Sequence, residues 1–209
     1  MTYPDESAAV AYSSHVLEHI DPVDARGFVV EMRRVLRPGG IVRIVVPDLE
    51  VAARRYLAAL DAWRNADHSR DAELRYDWSV IWLIDQMVRT RPGGTMTEWL
   101  RQHRDTDVVR NLGGIVEDLA TGSAPRQGAI HRVLRYLAGR RDPRRSGEVH
   151  RWMYDDASLG RLLSAAGFRD LRRVGPEESR IPDWTAYALD VDRDGRPHQP
   201  DSIWMEGLR

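Results

Sequence analysis

The stretch Asp21-Pro22-Val23-Asp24-Ala25-Arg26-Gly27-Phe28-Val29-Val30-Glu31-Met32-Arg33-Arg34-Val35-Leu36-Arg37-Pro38-Gly39-Gly40-Ile41-Val42-Arg43-Ile44-Val45-Val46-Pro47 decides the fold class. Asp21 has the side chain of an N-cap. Pro22 takes the first helical position, where the N–H that proline lacks would have no partner anyway. Ala25, Phe28, Val29, Met32, Val35 and Leu36 then recur at three- and four-residue steps and form one apolar face of a helix. Arg37-Pro38-Gly39-Gly40 stops that helix and turns the chain. Ile41–Val46 is nearly continuous and β-branched, the pattern of a strand covered on both faces in a parallel sheet. Upstream, Ala9-Val10-Ala11-Tyr12-Ser13 reads as a short buried strand ending in hydroxyls. Strand, helix and strand joined by short connections predict a right-handed βαβ unit.

The pattern changes after Pro47. From Leu49 to about Glu148 it is helical, with helices expected over Leu49–Leu60, Leu74–Val88, Leu112–Leu119 and Ile130–Leu137. Arg91-Pro92-Gly93-Gly94 is a breaker, and Ser123–Gly128 and Arg140–Gly147 read as loops. The α/β pattern then returns. Asp155 or Asp156 caps a helix that carries Leu159, Leu162, Leu163 and Ala166 on one face, and Gly167 sits where a left-handed C-terminal cap belongs. Phe168–Val174 reads as a strand, a Pro- and Asp-rich loop follows, and Ser202–Glu206 is a final short strand.

Composition narrows the function classes. The 209 residues make room for one domain, or for one domain with a large insertion, and the 42% apolar content can fill a core. No run approaches the roughly 20 apolar residues that span a bilayer, and the start of the sequence lacks the pattern of a signal peptide, so the expectation is a cytoplasmic protein. The absence of cysteine excludes disulfides, thiolate metal sites and a Cys nucleophile. A net charge of −1 gives no global field for nucleic acid or an acidic membrane, and neither is expected as a partner. Every basic residue is Arg, which rules out Schiff-base and P-loop lysine chemistry. Ser123–Arg151 carries eight Arg against Asp142 and Glu148, whereas 177–201 is acidic. Arg on solvated faces accounts for the basic stretch, although an anionic partner is the alternative.

The sharpest local motif is His15-Val16-Leu17-Glu18-His19, which spells H-x-x-E-H. On a helix the two His would share a face and could bind Zn²⁺, with Glu18 as general base. Between a strand ending near Ser13 and a helix capped at Asp21, only about one and a half turns are left for it, and a third ligand is not evident. The competing reading places Ser13–His19 in the loop at the carboxyl end of a parallel strand, where open α/β sheets bind their ligands. No metal ligand set is assigned.

The same residues carry a resemblance. Tyr12-Ser13-Ser14-His15-Val16-Leu17-Glu18-His19, Arg34-Val35-Leu36-Arg37-Pro38-Gly39-Gly40 and Val45-Val46-Pro47-Asp48-Leu49 resemble the second half of a class I S-adenosylmethionine-dependent methyltransferase, closest to bacterial members encoded among glycan-assembly genes. His150-Arg151-Trp152-Met153-Tyr154-Asp155, Ala165-Ala166-Gly167-Phe168 and Glu178-Ser179-Arg180-Ile181-Pro182-Asp183 are similar to the same group. The resemblance implies an α/β fold: a truncated Rossmann-like sheet keeping strands 4, 5, 6 and 7 of the family order 3-2-1-4-5-7-6, with a large helical insertion. Residues 1–49 would form the βαβ half, 50–147 the helical insertion or cap, and 148–209 a helix and two strands completing the sheet.

The resemblance also implies roles. S-adenosylmethionine would be the cofactor, with Ser13, Ser14 and His15 against it. His19 and His150, with His15 as a further candidate, would supply a general base. Asp48, Arg89, Arg151 and Tyr154 would touch a small-molecule acceptor, a sugar or glycan-related hydroxyl, although Asp48 also fits an N-cap for the helix near Leu49. The family's Gly-rich loop and ribose-binding acid have no counterpart, as if about sixty residues were missing before Tyr3. The expectations are weak or no cofactor binding by this chain alone, and an open edge at Ala9–Ser13 that pairs with a second copy or a partner chain. A non-catalytic interaction module and an H-x-x-E-H metalloprotease are the alternatives from other classes.

Overall fold

The computed structural model describes residues 3–65, 68–110 and 147–209. The helices expected over Leu112–Leu119 and Ile130–Leu137, the loop Ser123–Gly128 and all but the end of Arg140–Gly147 lie outside the described residues. The chain divides into two compact units, Met1–Glu50 with Arg151–Arg209, and Val51–His150.

The first unit is built on a four-stranded mixed sheet: β1 (Ala8–Ser14), β2 (Leu36–Pro47), β3 (Arg169–Val174) and β4 (Ser202–Leu208), in the order β1-β2-β4-β3. β1 and β2 run parallel, while β4 is antiparallel to both β2 and β3. This is the α/β fold expected, a four-stranded mixed sheet. Helix α1 (Pro22–Val35) makes the crossover between the parallel strands. The Asp21 carboxylate accepts a bond from the Val23 N–H at 3.2 Å, and Ala25, Val29 and Met32 are buried. The C-terminal helix of this unit, Asp156–Ala165, is capped by Asp155, whose carboxylate accepts from the Ser158 N–H at 2.7 Å while the Ser158 hydroxyl accepts from the Asp155 N–H at 3.0 Å. Hydrogen bonding to Ser158, through its hydroxyl first and then its N–H, holds the Asp155 carboxyl below the ordinary value. Gly167 follows at φ +93°, the left-handed cap expected there.

Arg37-Pro38-Gly39-Gly40 does more than turn the chain. Ala8 pairs with Leu36 and Val10 with Ile41, so the four residues are a bulge carried inside β2 rather than a loop before it. Gly39 adopts φ +76°, and a Cβ on Gly40 would sit 2.8 Å from the Arg37 carbonyl oxygen. The ladder can resume across this excursion because neither position has a side chain.

β2 is buried from Val42 to Val46, and the alternation of strand side chains sends its residues to two different environments. Val42, Ile44 and Val46 join Leu17, Val29, Leu36, Leu159, Leu163, Phe168, Ile203 and Met205 in the apolar core. Arg43 points the other way and is fully buried. Its guanidinium donates to Asp190 at 2.7 Å and Glu206 at 2.8 Å, and to the carbonyls of Glu178, Gly175 and Pro176. Trp184 lies over it, ring centroid 4.5 Å from Cζ. The Tyr12 hydroxyl donates to Asp190 at 2.7 Å, and Glu206 accepts from the Arg180 N–H at 3.0 Å and from the Ser179 hydroxyl. The second face of the sheet is thus covered by the irregular 175–190 segment, folded around one arginine whose donors are all used.

The second unit is helical: α2 (Leu49–Asn65), α3 (Arg70–Val88), α4 (Gly94–His103) and the single turn α5 (Asp107–Arg110), α2 beginning at the border between units. The helix Asp156–Ala165 is accordingly α6. Leu74, Trp78, Met96, Trp99, Leu100, Val108 and Val109 form the core of this unit, with the Trp78 and Trp99 rings 5.2 Å apart. The breaker Arg91-Pro92-Gly93-Gly94 lies between α3 and α4. Gly94 has φ +55°, and a Cβ there would fall inside the Asp85 carboxylate, which accepts from the Thr95 N–H at 2.6 Å. Among the described residues no helix is long and apolar enough to cross a membrane.

Candidate functional site

Parallel strands leave their carboxyl ends on one rim of a sheet, where the following loops splay apart and expose backbone and polar side chains. Here β1 delivers Ser13, Ser14 and His15 to that rim, β2 delivers Asp48, and β4, running antiparallel, begins there at Ser202, paired with Pro47. The segment 151–155 runs alongside. Leu49 N–H donates to the Tyr154 carbonyl at 2.8 Å, and the N–H groups of Arg151 and Trp152 donate to the Glu18 carbonyl at 2.6 and 3.2 Å. Of the residues expected at the site, Ser13, Ser14, His15, His19, Asp48, Arg151 and Tyr154 belong to this unit, whereas Arg89 and His150 belong to the helical one.

His15 occupies the turn out of β1 at φ +51°, its N–H bonded to the Val45 carbonyl at 2.9 Å. Imidazole Nε2 lies 3.1 Å from Ser202 Oγ, and Nδ1 lies 3.1 Å from Glu18 Oε1. Glu18 is completely buried, and its two oxygens accept no hydrogen bond from the described residues; the His15 contact is at ion-pair distance but off the hydrogen-bond axis. His19 Nε2 is 3.9 Å from the same oxygen. Burial first, then the charge of Glu18, pushes the Tyr154 phenol above its ordinary value. Ser13 Oγ is also buried and without a hydrogen-bond partner among the described residues. Ser14 bonds the Tyr12 hydroxyl. The rim therefore concentrates a buried carboxylate and a buried hydroxyl without hydrogen-bond partners among the described residues, and an imidazole set between Glu18 and Ser202.

Other expectations resolve differently. The H-x-x-E-H motif has no helix to sit on. His15 ends a strand, and Leu17–His19 is a single 3₁₀ turn, so the shared i, i+4 face required by the zinc reading does not form. Asp48 is buried, and its carboxylate accepts from the Glu50 N–H at 2.8 Å and from Arg173 at 2.7 Å, so its side chain caps the start of α2. Arg89 donates to Asp85 at 2.9 Å and to Glu148 at 3.1 Å, and Glu148 accepts from the Gly93 N–H at 2.7 Å. Within its unit this guanidinium ties the end of α3 to the 148 segment. His150 is buried in that unit, its N–H bonded to the Gln86 carbonyl at 3.0 Å. Arg151 is exposed, and its neighbour Trp152 is 47% exposed. Ser202 was not among the expected site residues. Its contact with His15 joins positions 187 residues apart, and no local pattern announces it.

A family model described as a methyltransferase domain matches residues 1–44, the segment that forms β1, α1 and most of β2. No curated protein matches the chain. Among solved structures, a SAM-dependent methyltransferase from Archaeoglobus fulgidus is similar at 10% identity and a TM-score of 0.37, with 99% of this chain covered. The chain spans 62% of the length of that protein.

Proposed function

We propose that this chain serves an S-adenosylmethionine-dependent methyltransferase, supplying the half of the sheet that carries the loops after the family's fourth and fifth strands. The match of the methyltransferase-domain model to residues 1–44 carries the reading, because those residues build β1, α1 and most of β2 and include Ser13, Ser14 and His15 of the rim. The residues present suit the cofactor. It offers an ammonium, a carboxylate and ribose hydroxyls, and the rim holds the Ser13 hydroxyl and the buried Glu18 carboxylate, neither with a hydrogen-bond partner among the described residues. When bound, S-adenosylmethionine supplies an electrophilic methyl group on a sulfonium. The work left to this chain is to hold that group through Ser13 and Ser14, to align an acceptor for in-line attack, and to take the proton the acceptor loses.

For the acceptor we propose a hydroxyl on a sugar or glycan-related small molecule, with Arg151 and Tyr154 as its contacts. The likeness of 150–155 and 178–183 to glycan-cluster members supports that choice. Saturation-transfer NMR on the purified chain tests the cofactor assignment, since it registers binding too weak for calorimetry. Transfer to S-adenosylmethionine that drops in Ser13→Ala is the expected result. No transfer at millimolar concentrations in the wild type overturns the assignment.

A further inference from the structure

We propose that His15 is the proton acceptor of the rim, that Ser202 relays the proton to it and that Glu18 is the residue that positions it; this rests on the methyl-transfer reading above. A buried carboxylate with no hydrogen bond is costly to fold around, since such a group ordinarily collects several donors. Glu18 is completely buried, accepts no hydrogen bond from the described residues, and has His15 Nδ1 as its near neighbour at 3.1 Å. On the opposite side of the ring, Nε2 is 3.1 Å from Ser202 Oγ. The ring is held between an acid that can only accept and a hydroxyl that can also donate.

A neutral imidazole carries one proton, on Nδ1 or on Nε2, and its neighbours decide which. The Glu18 charge, 3.1 Å from Nδ1, favours the proton on that nitrogen even though the contact is off the hydrogen-bond axis. Nε2 is then bare, and the Ser202 hydroxyl donates to it. The backbone supports the same orientation. His15 is fixed by its N–H bond to Val45 and by a left-handed φ of +51° that non-glycine residues seldom adopt. His19, whose Nε2 is 3.9 Å from the same carboxylate, lies beyond hydrogen-bond reach and is the weaker choice of base.

The proton balance closes. As the acceptor oxygen bonds to the methyl carbon, its hydroxyl proton passes to Ser202 Oγ, and the proton of Ser202 passes to His15 Nε2. One O–H bond is lost on the acceptor, one N–H bond is gained on His15, and Ser202 ends as it began. The electron pair of the broken carbon–sulfur bond stays on sulfur. The charge gained by the ring faces the Glu18 carboxylate.

Long-range proton–nitrogen correlation NMR on the whole chain, at a pH above imidazole titration, tests this without any methyl donor. The expected spectrum of His15 shows a protonated Nδ1 and a bare Nε2. Glu18→Gln should shift the ring toward the Nε2–H form, while Ser202→Ala should leave the tautomer in place, circular dichroism confirming the fold of each variant. A wild-type ring protonated at Nε2, or a ring unmoved by Glu18→Gln, overturns the proposal. In methyl transfer to a hydroxyl acceptor, His15→Gln should lower kcat by about 10²–10⁴-fold with little change in KM for S-adenosylmethionine, and an unchanged kcat overturns it as well. A chain that shows the expected tautomer but neither binds S-adenosylmethionine nor transfers methyl refutes the methyl-transfer reading. The base assignment built on that reading falls with it, and only the arrangement of the three side chains stands.

Discussion

Arg43 offers the strongest test of how the first unit is held together. Replacing it with Met keeps the volume of the stem but removes the guanidinium from between Asp190 and Glu206, both buried. Two carboxylates then face each other's side of the sheet without a cation, and the Gly175, Pro176 and Glu178 carbonyls lose their donor. Breaking a buried ion pair by removing one partner costs about 3–5 kcal/mol, mostly as the penalty on the charge left behind. With a urea m-value of about 2 kcal/mol/M, the midpoint for this unit should fall by about 1.5–2.5 M. Because the chain has two units, the readout should be local, as hydrogen exchange of the β2 and β4 amides across a urea series. The triple change Arg43→Met with Asp190→Asn and Glu206→Gln removes the orphaned charges and should recover more than half of the loss. A single substitution that costs under about 1 kcal/mol, or a triple variant no more stable than the single one, would refute the account of 175–190 as a segment organised by this arginine.

Gly94→Ala should destabilise the helical unit by at least about 1 kcal/mol, because φ is +55° and the new Cβ enters the Asp85 carboxylate; an unchanged far-UV melting temperature contradicts this. Burial first, and then the bond to Asp190, pushes the Tyr12 phenol up to about 12 from 10.0. Its contribution to stability is therefore fully present below about pH 10 and lost as pH rises toward 12, since the unfolded chain gives up that proton first. Tyr12→Phe should flatten the alkaline limb of a pH–stability curve over that window. Among the described residues β1 hydrogen-bonds a strand on one side alone. His15 N–H points to β2, so the alternation along a parallel strand turns the N–H of Val10 outward. If a second copy pairs with that edge, light scattering should find a dimer that Val10→Pro dissociates, and a wild-type monomer at all concentrations dismisses the pairing.

Much of the candidate site was within reach of the sequence, and the part that was not has a common cause. Ser13, Ser14 and His15 could be placed on a rim because a strand boundary and a helix cap bracket them. Glu18 stood out only as the middle of a zinc motif, and its burial depends on segments that arrive from beyond residue 150. Ser202 looked like the first residue of a terminal strand and nothing more. Asp48 and Arg89 looked available for an acceptor, yet each meets partners, Arg173 and Glu148, that lie 125 and 59 residues away.

Local order followed from short-range rules that the side chains themselves enforce. Asp21-Pro22 starts α1, the Asp155–Ser158 box starts α6, Gly167 ends it, and the β-branched run of 41–46 extends into a strand, each through contacts within a few residues. Tertiary structure decided what those elements face. A period-two strand specifies two faces but not their occupants, so only the folded chain could show that Arg43 faces buried acids while Ile44 faces leucines. The Arg-Pro-Gly-Gly stretch, legible as a stop, became a bulge because β1 supplied a ladder for the backbone to rejoin. His15 became a candidate base when Ser202, 187 residues away, came within 3.1 Å of the nitrogen opposite Glu18, since a contact between residues so remote in sequence is set by the packing of the sheet and leaves no periodic trace along the chain.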